Sequence, residues 1–252
     1  MDIEGNWTRI KTHRRRFSSL EIQGLAETLF RGQEDWLGEK LRRREDQALA
    51  LEFLGCLGRS GSPKAVALLL KYLEEREEVL QLAAAAALKV CPPALILEPL
   101  AQIMLRQNHS SVKAGEVLLA LGPEGADSLW NLWFVTECPG GLKAQILQLL
   151  AEIKDERCQD LAFLALMSGG EELVRAALKA AEKLEMKDLW GNVAGYLKHP
   201  SWRLRGRAVL LLGSWGEGEA LPYLREMGED PDPWVEEERQ KAISKINERT
   251  EC

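Results

Sequence analysis

The chain has 252 residues, of which 46% are apolar, 6% aromatic and 29% charged, and carries a net charge of -6. That composition is globular rather than disordered, and its longest apolar runs, such as 82–88 and 208–212, fall well short of the roughly 20 residues of a membrane helix. Five scattered cysteines, Cys56, Cys91, Cys138, Cys158 and Cys252, form no C-x-x-C pair, which argues against a disulfide framework or a thiolate zinc site and for a reducing compartment.

Residues 1–19 read as a basic segment set apart from the rest, built on Arg9, Lys11, Arg14, Arg15 and Arg16. A solvated helix or tail accounts for such a run as well as a contact does. The contacts to weigh are an anionic membrane, at roughly 1 kcal/mol per charge near the lipid, nucleic acid, or an acidic protein. Met1 to Trp7 is mixed polar and no apolar stretch follows the basic run, so the layout is not that of a signal peptide. The expectation is a cytoplasmic protein, membrane-associated if an N-terminal anchor precedes these residues. Charge is uneven along the chain: residues 1–44 hold ten basic and seven acidic side chains, and residues 217–252 hold five and eleven.

From residue 20 to residue 252 one helical pattern recurs. Aligned on a small position near the helix end, it gives Gly55, Lys89, Gly122, Ala151, Glu182, Gly213 and Ser244, at intervals between 29 and 34 residues. A period of this size belongs to solenoids. The preceding column is Leu54, Leu88, Leu121, Leu150, Ala181, Leu212 and Ile243, and four residues earlier come Ala50, Ala84, Val117, Ile146, Ala177, Ala208 and Arg239. Together with Phe53, Leu149, Leu211 and their equivalents, these make the i, i+3, i+4 stripe of an amphipathic helix. The stripe breaks at Arg239, as a terminal repeat with a polar outer face would. Punctuation between helices is steady: Ser60-Gly61-Ser62-Pro63, Cys91-Pro92-Pro93, Gly122-Pro123, Cys138-Pro139-Gly140-Gly141, Ser168-Gly169-Gly170, His199-Pro200-Ser201 and Asp230-Pro231-Asp232-Pro233. Such residues stop one helix and cap the next. No run alternates with period two, so the expected class is all-α.

The run from Leu204 to Gly216, with Arg205, Ala208, Leu212 and Gly213 in place, resembles the short bacterial HEAT-like repeat of the PBS-lyase type, whose inner helix reads V-R-x-x-A-A-x-A-L-G-x-I-G. The entry His199-Pro200-Ser201-Trp202 and its echo at Asp230 to Val235 look like the same family. The resemblance covers residues 20–247, is strongest at 46–58 and 199–247, and is weak at repeats four and five. It implies a right-handed α-solenoid of about seven stacked helical hairpins, an armadillo-like superhelix with a concave inner surface.

Three enzyme classes share such repeats. The iron hydroxylases of the family pair His with Glu on successive repeats, whereas His13, His109 and His199 here are followed by Arg, Ser and Pro. Nothing singles out a pigment-binding residue of the bilin lyases. The alkylpurine DNA glycosylases need a basic concave groove, and the seventh column of the inner helix, Glu52, Ala86, Leu119, Gln148, Lys179, Leu210 and Lys241, is mixed and partly apolar. Gly140-Gly141 and Gly169-Gly170 match no phosphate loop. No catalytic residue, cofactor or metal is therefore expected, and nucleic acid is disfavoured as a partner. Trp202, Trp215 and Trp133 read as packing residues, and Trp130 stands between core and surface.

The function expected is a non-enzymatic scaffold or adaptor that binds a protein on its concave face. Its candidate contacts are Glu52, Leu119, Gln148, Lys179 and Leu210, with Trp130 on an outer helix. The alternatives are a membrane-associated adaptor using the basic N-terminus and, least favoured, a HEAT-like DNA glycosylase.

Overall fold

Glycine and proline cut the chain into short helices, and a computed structural model describes residues 2–168, 170–215 and 218–250, with no strand among them. Gly169, Gly216 and Cys252 lie outside the described residues. The chain divides into two units, residues 1–132 and 133–252. The first holds α1 (Ile3–His13), α2 (Ser19–Leu25), α3 (Glu34–Lys40), α4 (Gln47–Arg59), α5 (Pro63–Leu73), α6 (Glu78–Leu88), α7 (Pro93–Leu105), α8 (Ser111–Ala120) and nearly all of α9 (Pro123–Trp133). The second holds α10 (Gly140–Ile153), α11 (Cys158–Ser168), α12 (Glu171–Lys183), α13 (Trp190–Ala194), α14 (Trp202–Trp215), α15 (Leu221–Glu226) and α16 (Pro233–Thr250).

The aligned positions fall on or at the end of α4, α6, α8, α10, α12, α14 and α16, and among the described residues six of these helices pack against the helix before them inside one unit: α4, α6 and α8 on α3, α5 and α7, and α12, α14 and α16 on α11, α13 and α15. Within unit 1 the inner helices α4, α6 and α8 pack in succession and the outer α3, α5 and α7 do the same. In unit 2 the inner series is α10, α12, α14 and α16. The turn from α4 to α5 is a direct product of its sequence. Gly61 takes a left-handed φ of 84°, Ser62 Oγ accepts from the amide of Ala65 at 3.3 Å, and Pro63 opens the helix where no intrahelical donor is needed.

Ala50, Ala84, Val117, Ile146, Ala177 and Ala208 are all fully buried, so this column is the spine of the inner layer. Leu54, Leu88, Leu150, Ala181 and Leu212 are buried beside it, but Leu121 and Ile243 are only partly so. Helix α8 ends at Ala120 because Gly122, with φ of 61°, and Pro123 start α9 at once, and Leu118 takes the buried place instead.

The recurring Leu-Gly pair has a packing cause. A Cβ on Gly55 would sit 3.0 Å from Cβ of Ala87, and one on Gly213 would sit 2.6 Å from Cβ of Ala242 and 3.0 Å from its Cα. Each glycine is thus where the next inner helix comes closest. Gly213→Ala forces α14 and α16 apart and should cost unit 2 about 2 kcal/mol, read as a lower melting temperature. The neighbouring Ser214→Ala, at an exposed position, should leave the melting curve in place.

The N-terminal helix carries two buried residues: Trp7 and Ile10 are 2% and 3% exposed, and Trp7 meets Phe30, Trp36 and Phe53 at centroid distances of 6.0, 5.5 and 5.9 Å. Two expectations change. Arg239 is not a solvent-facing terminal residue. It is 8% exposed, bonded through Nε to Glu236 at 2.7 Å and through Nη1 to the Leu224 carbonyl at 3.1 Å. Trp202 is 44% exposed rather than buried, its ring edge-on to Trp234 at 6.0 Å. Trp215 and Trp133 are buried as expected.

Candidate functional site

The inner helices carry a groove in each unit. In unit 1 a cavity of about 380 Å³ lies along α4 and α6, bounded by Ala48, Leu51, Glu52, Gly55, Cys56 and Arg59 on one side and Ala83, Ala86, Ala87 and Val90 on the other, with Ser19 and Gln23 of α2 at its edge. In unit 2 a cavity of about 270 Å³ lies along α14 and α16, bounded by Val209, Leu210, Gly213 and Ser214, then Glu238, Lys241, Ala242 and Lys245, with Glu182 of α12 at its edge. In the repeat register these are the same positions: Leu51, Glu52, Gly55 and Cys56 answer to Val209, Leu210, Gly213 and Ser214. Ala83, Ala86, Ala87 and Val90 likewise answer to Glu238, Lys241, Ala242 and Lys245. One backbone device, the close approach at a glycine, makes both grooves, and the side chains then differ.

The difference is electrostatic. In the first groove Arg14 Nε donates to Glu52 Oε2 at 2.8 Å, which joins the basic segment to the inner-helix column. The bond to Glu52, against some desolvation, holds the Arg14 guanidinium above its usual range. In the second groove Lys241 lies 2.7 Å from Glu237 and 2.8 Å from Glu238, and Glu182 pairs with Arg207. The α6 wall of the first groove is small and apolar, whereas the α16 wall of the second carries the paired charges of Glu238 and Lys241.

Of the residues picked out in sequence, Glu52 and Leu210 line these grooves. Leu119 is half-buried on α8 and lines neither. Gln148 on α10 and Lys179 on α12 are exposed, and Trp130 is half-buried on α9. Glu52 and Leu119 belong to unit 1, and Gln148, Lys179 and Leu210 to unit 2. Of the basic segment, Lys11 is tied to Asp46 at 2.6 Å and Arg14 to Glu52, while Arg9, Arg15 and Arg16 are exposed. Sequence reasoning passed over Ser19, Gln23, Cys56 and Arg59. The signal for Cys56 was available, because it follows the small position Gly55 as Ser214 follows Gly213.

Burial pushes the thiols of Cys91 and Cys158 up to about 11 and about 12, and raises those of Cys56 and Cys138. His199 Nδ1 accepts from the Ser201 amide at 3.0 Å, and His109 Nε2 lies 2.9 Å from the Glu74 carbonyl. Among the described residues no group of three or more His, Cys, Asp and Glu is placed to hold a metal ion. No helix among them is long and apolar enough to cross a membrane.

Residues 192–252 match a family model described as HEAT repeats. This stretch takes in α14 to α16, where the sequence follows that repeat most fully. No curated protein matches the chain. Among solved structures, the archaeal HEAT-like repeats protein from Thermococcus onnurineus NA1 is similar at 14% identity and a TM-score of 0.44, over 92% of this chain and 98% of that one. A designed armadillo repeat protein is similar at 16% identity and a TM-score of 0.41, over 84% and 99%. Human deoxyhypusine hydroxylase is similar at 17% identity and a TM-score of 0.36, over 89% and 99%.

Proposed function

We propose that the protein is a non-enzymatic scaffold that binds another protein on the inner-helix face of its repeats. The observation that carries this reading is the recurrence of one groove, in one register, in two separate units, each with its own chemistry. A catalytic centre needs one convergent set of groups. Repeated grooves of differing polarity instead suit a surface read at several points by a partner.

The test is affinity capture from a lysate of the source organism at low and high salt, followed by binding of the recovered protein to variants. Leu119→Glu combined with Leu210→Glu should keep helical circular dichroism and melting temperature and lose the partner. Both leucines are half-buried, so unfolding of the variant would assign them to inter-repeat packing and withdraw them from the surface. Recovery of salt-labile nucleic acid or lipid alone would move the function to the exposed Arg9, Arg15 and Arg16.

A further inference from the structure

We infer that unit 2 binds a proline-rich segment, in the polyproline conformation, on the aromatic pair Trp202 and Trp234. The inference rests on the protein-binding reading above and names the class of ligand. These two side chains are 44% and 43% exposed, whereas tryptophan is highly buried on average. Their rings stand 6.0 Å apart with 79° between planes, so the pair offers two aromatic surfaces set across each other.

The residues around them hold both rings in place. A Cβ on Gly206 would sit 2.2 Å from Cζ3 of Trp234, so the indole of α16 lies directly on the backbone of α14 and a side chain at 206 would lift it off. The Arg203 guanidinium lies 5.5 Å from the centre of the Trp202 ring, a cation–π contact. Asp232 Oδ1 accepts from the amides of Trp234 and Val235, at 3.1 and 3.2 Å, and fixes the first turn of α16. Gly206 and Gly213 share one stripe of α14, and Gly213 is where Ala242 comes closest. The tryptophans therefore stand at the N-terminal end of the α14–α16 seam whose groove Val209, Leu210 and Gly213 line.

Unused donors select the conformation of the occupant. Among the described residues neither indole Nε1 has a hydrogen-bond partner, whereas that of the buried Trp7 donates to Asp46. A helix spends its carbonyls on its own amides and cannot answer such donors. A polyproline segment has no internal hydrogen bonds, so its carbonyls are free to accept from them. Proline also lays a ring on an aromatic face and brings no amide N–H for that face to strand. Charge selects nothing further. Glu171 accepts from Ser201 Oγ at 2.7 Å, Glu237 pairs with Lys241, and Asp232 caps α16. Glu172 and Arg203 are left exposed without an ion pair, one of each sign.

The experiment follows the indole N–H resonances of the full chain, isotope-labelled at tryptophan, as acetylated hexaproline amide is added. An alanine-rich helical peptide and a glycine–serine peptide serve as controls. The signals of Trp202 and Trp234, identified by Trp202→Phe and Trp234→Phe, should shift and saturate with a Kd below about 1 mM, while the remaining indole signals and both controls stay silent. Trp202→Ala should weaken binding about tenfold or more, and Trp190→Phe should leave it unchanged. Should Trp202→Ala melt early, Trp202→Phe keeps a ring, removes the donor and should still lose about fivefold. No saturable shift, an equal response to the helical peptide, or affinity indifferent to both changes at Trp202 overturns the inference. A captured protein that binds Trp202→Ala undiminished and is lost to Leu119→Glu with Leu210→Glu overturns this ligand site and leaves the protein-binding reading standing, whereas a lysate that yields no protein partner, with hexaproline silent, counts against both.

Discussion

Replacing Trp7 by alanine should lower the stability of unit 1 by about 4 kcal/mol, the range for emptying a large aromatic site. The indole lies in a cluster with Phe30, Trp36 and Phe53, and Phe30 and Phe53 themselves meet edge-on at 4.9 Å. Its Nε1 donates to Asp46 Oδ1 at 3.2 Å, and Lys11 Nζ lies 2.6 Å from the same oxygen. Burial works to raise the Asp46 pKa, but these two donors outweigh it and hold the carboxyl below its usual range. Trp7→Phe keeps most of the packing and leaves Asp46 one donor short, so it should cost about 1–3 kcal/mol. Urea denaturation followed by circular dichroism measures both. A loss below about 1 kcal/mol for Trp7→Ala would return α1 to the status of a surface helix.

Arg205→Met should destabilise unit 2 by about 3–5 kcal/mol, because it strands a buried carboxylate. The Asp230 side chain is 2% exposed and that of Arg205 12%, and they meet in a two-pronged pair, Nε to Oδ2 at 2.7 Å and Nη2 to Oδ1 at 2.9 Å. Arg205 Nη1 also donates to the carbonyls of His199 and Pro200, at 2.9 Å each, which pins the turn before α14. The guanidinium holds Asp230 below the usual carboxylate range, and Arg239 holds Glu236 down to about 2. Both carboxyls are more acidic folded than unfolded, so the unfolded chain takes up protons first as pH falls. The stability they contribute is complete above the ordinary carboxylate range and is lost through it, down to about pH 2 for Glu236. Asp230→Asn should therefore be less stable at neutral pH and show a shallower decline between pH 5 and 2, in denaturant titrations across that span. An unchanged slope would show that the pair does not carry the acid sensitivity.

The period of the inner helices was readable because it is imposed by packing at every repeat. The spine from Ala50 to Ala208 and the Leu-Gly pairs at 54–55 and 212–213 mark the same contact each time, so they survive as columns. What escaped was non-periodic. Trp7 lies in a basic helix and owes its burial to residues up to 46 positions away, a partnership no local pattern encodes. Arg239 breaks an apolar stripe and still sits inside, because Glu236 one turn earlier and the Leu224 carbonyl satisfy its guanidinium. Leu121 drops from its column because Gly122 and Pro123 cut α8 short. Of the site, the seventh column contains Glu52 and Ala86 of one groove and Leu210 and Lys241 of the other, while Arg14 at Glu52 required the folded N-terminal helix.

Oxidative footprinting of the chain, alone and with the protein captured on it, tests the central claim most directly, since it labels side chains on both faces at once. Shielding of Cys56, Leu82 and Leu210 on the inner helices, with Phe163, Met167 and Tyr223 of the outer helices still labelled, is the predicted result. Shielding of Phe163, Met167 and Tyr223, with the inner grooves labelled as in the free protein, would contradict it.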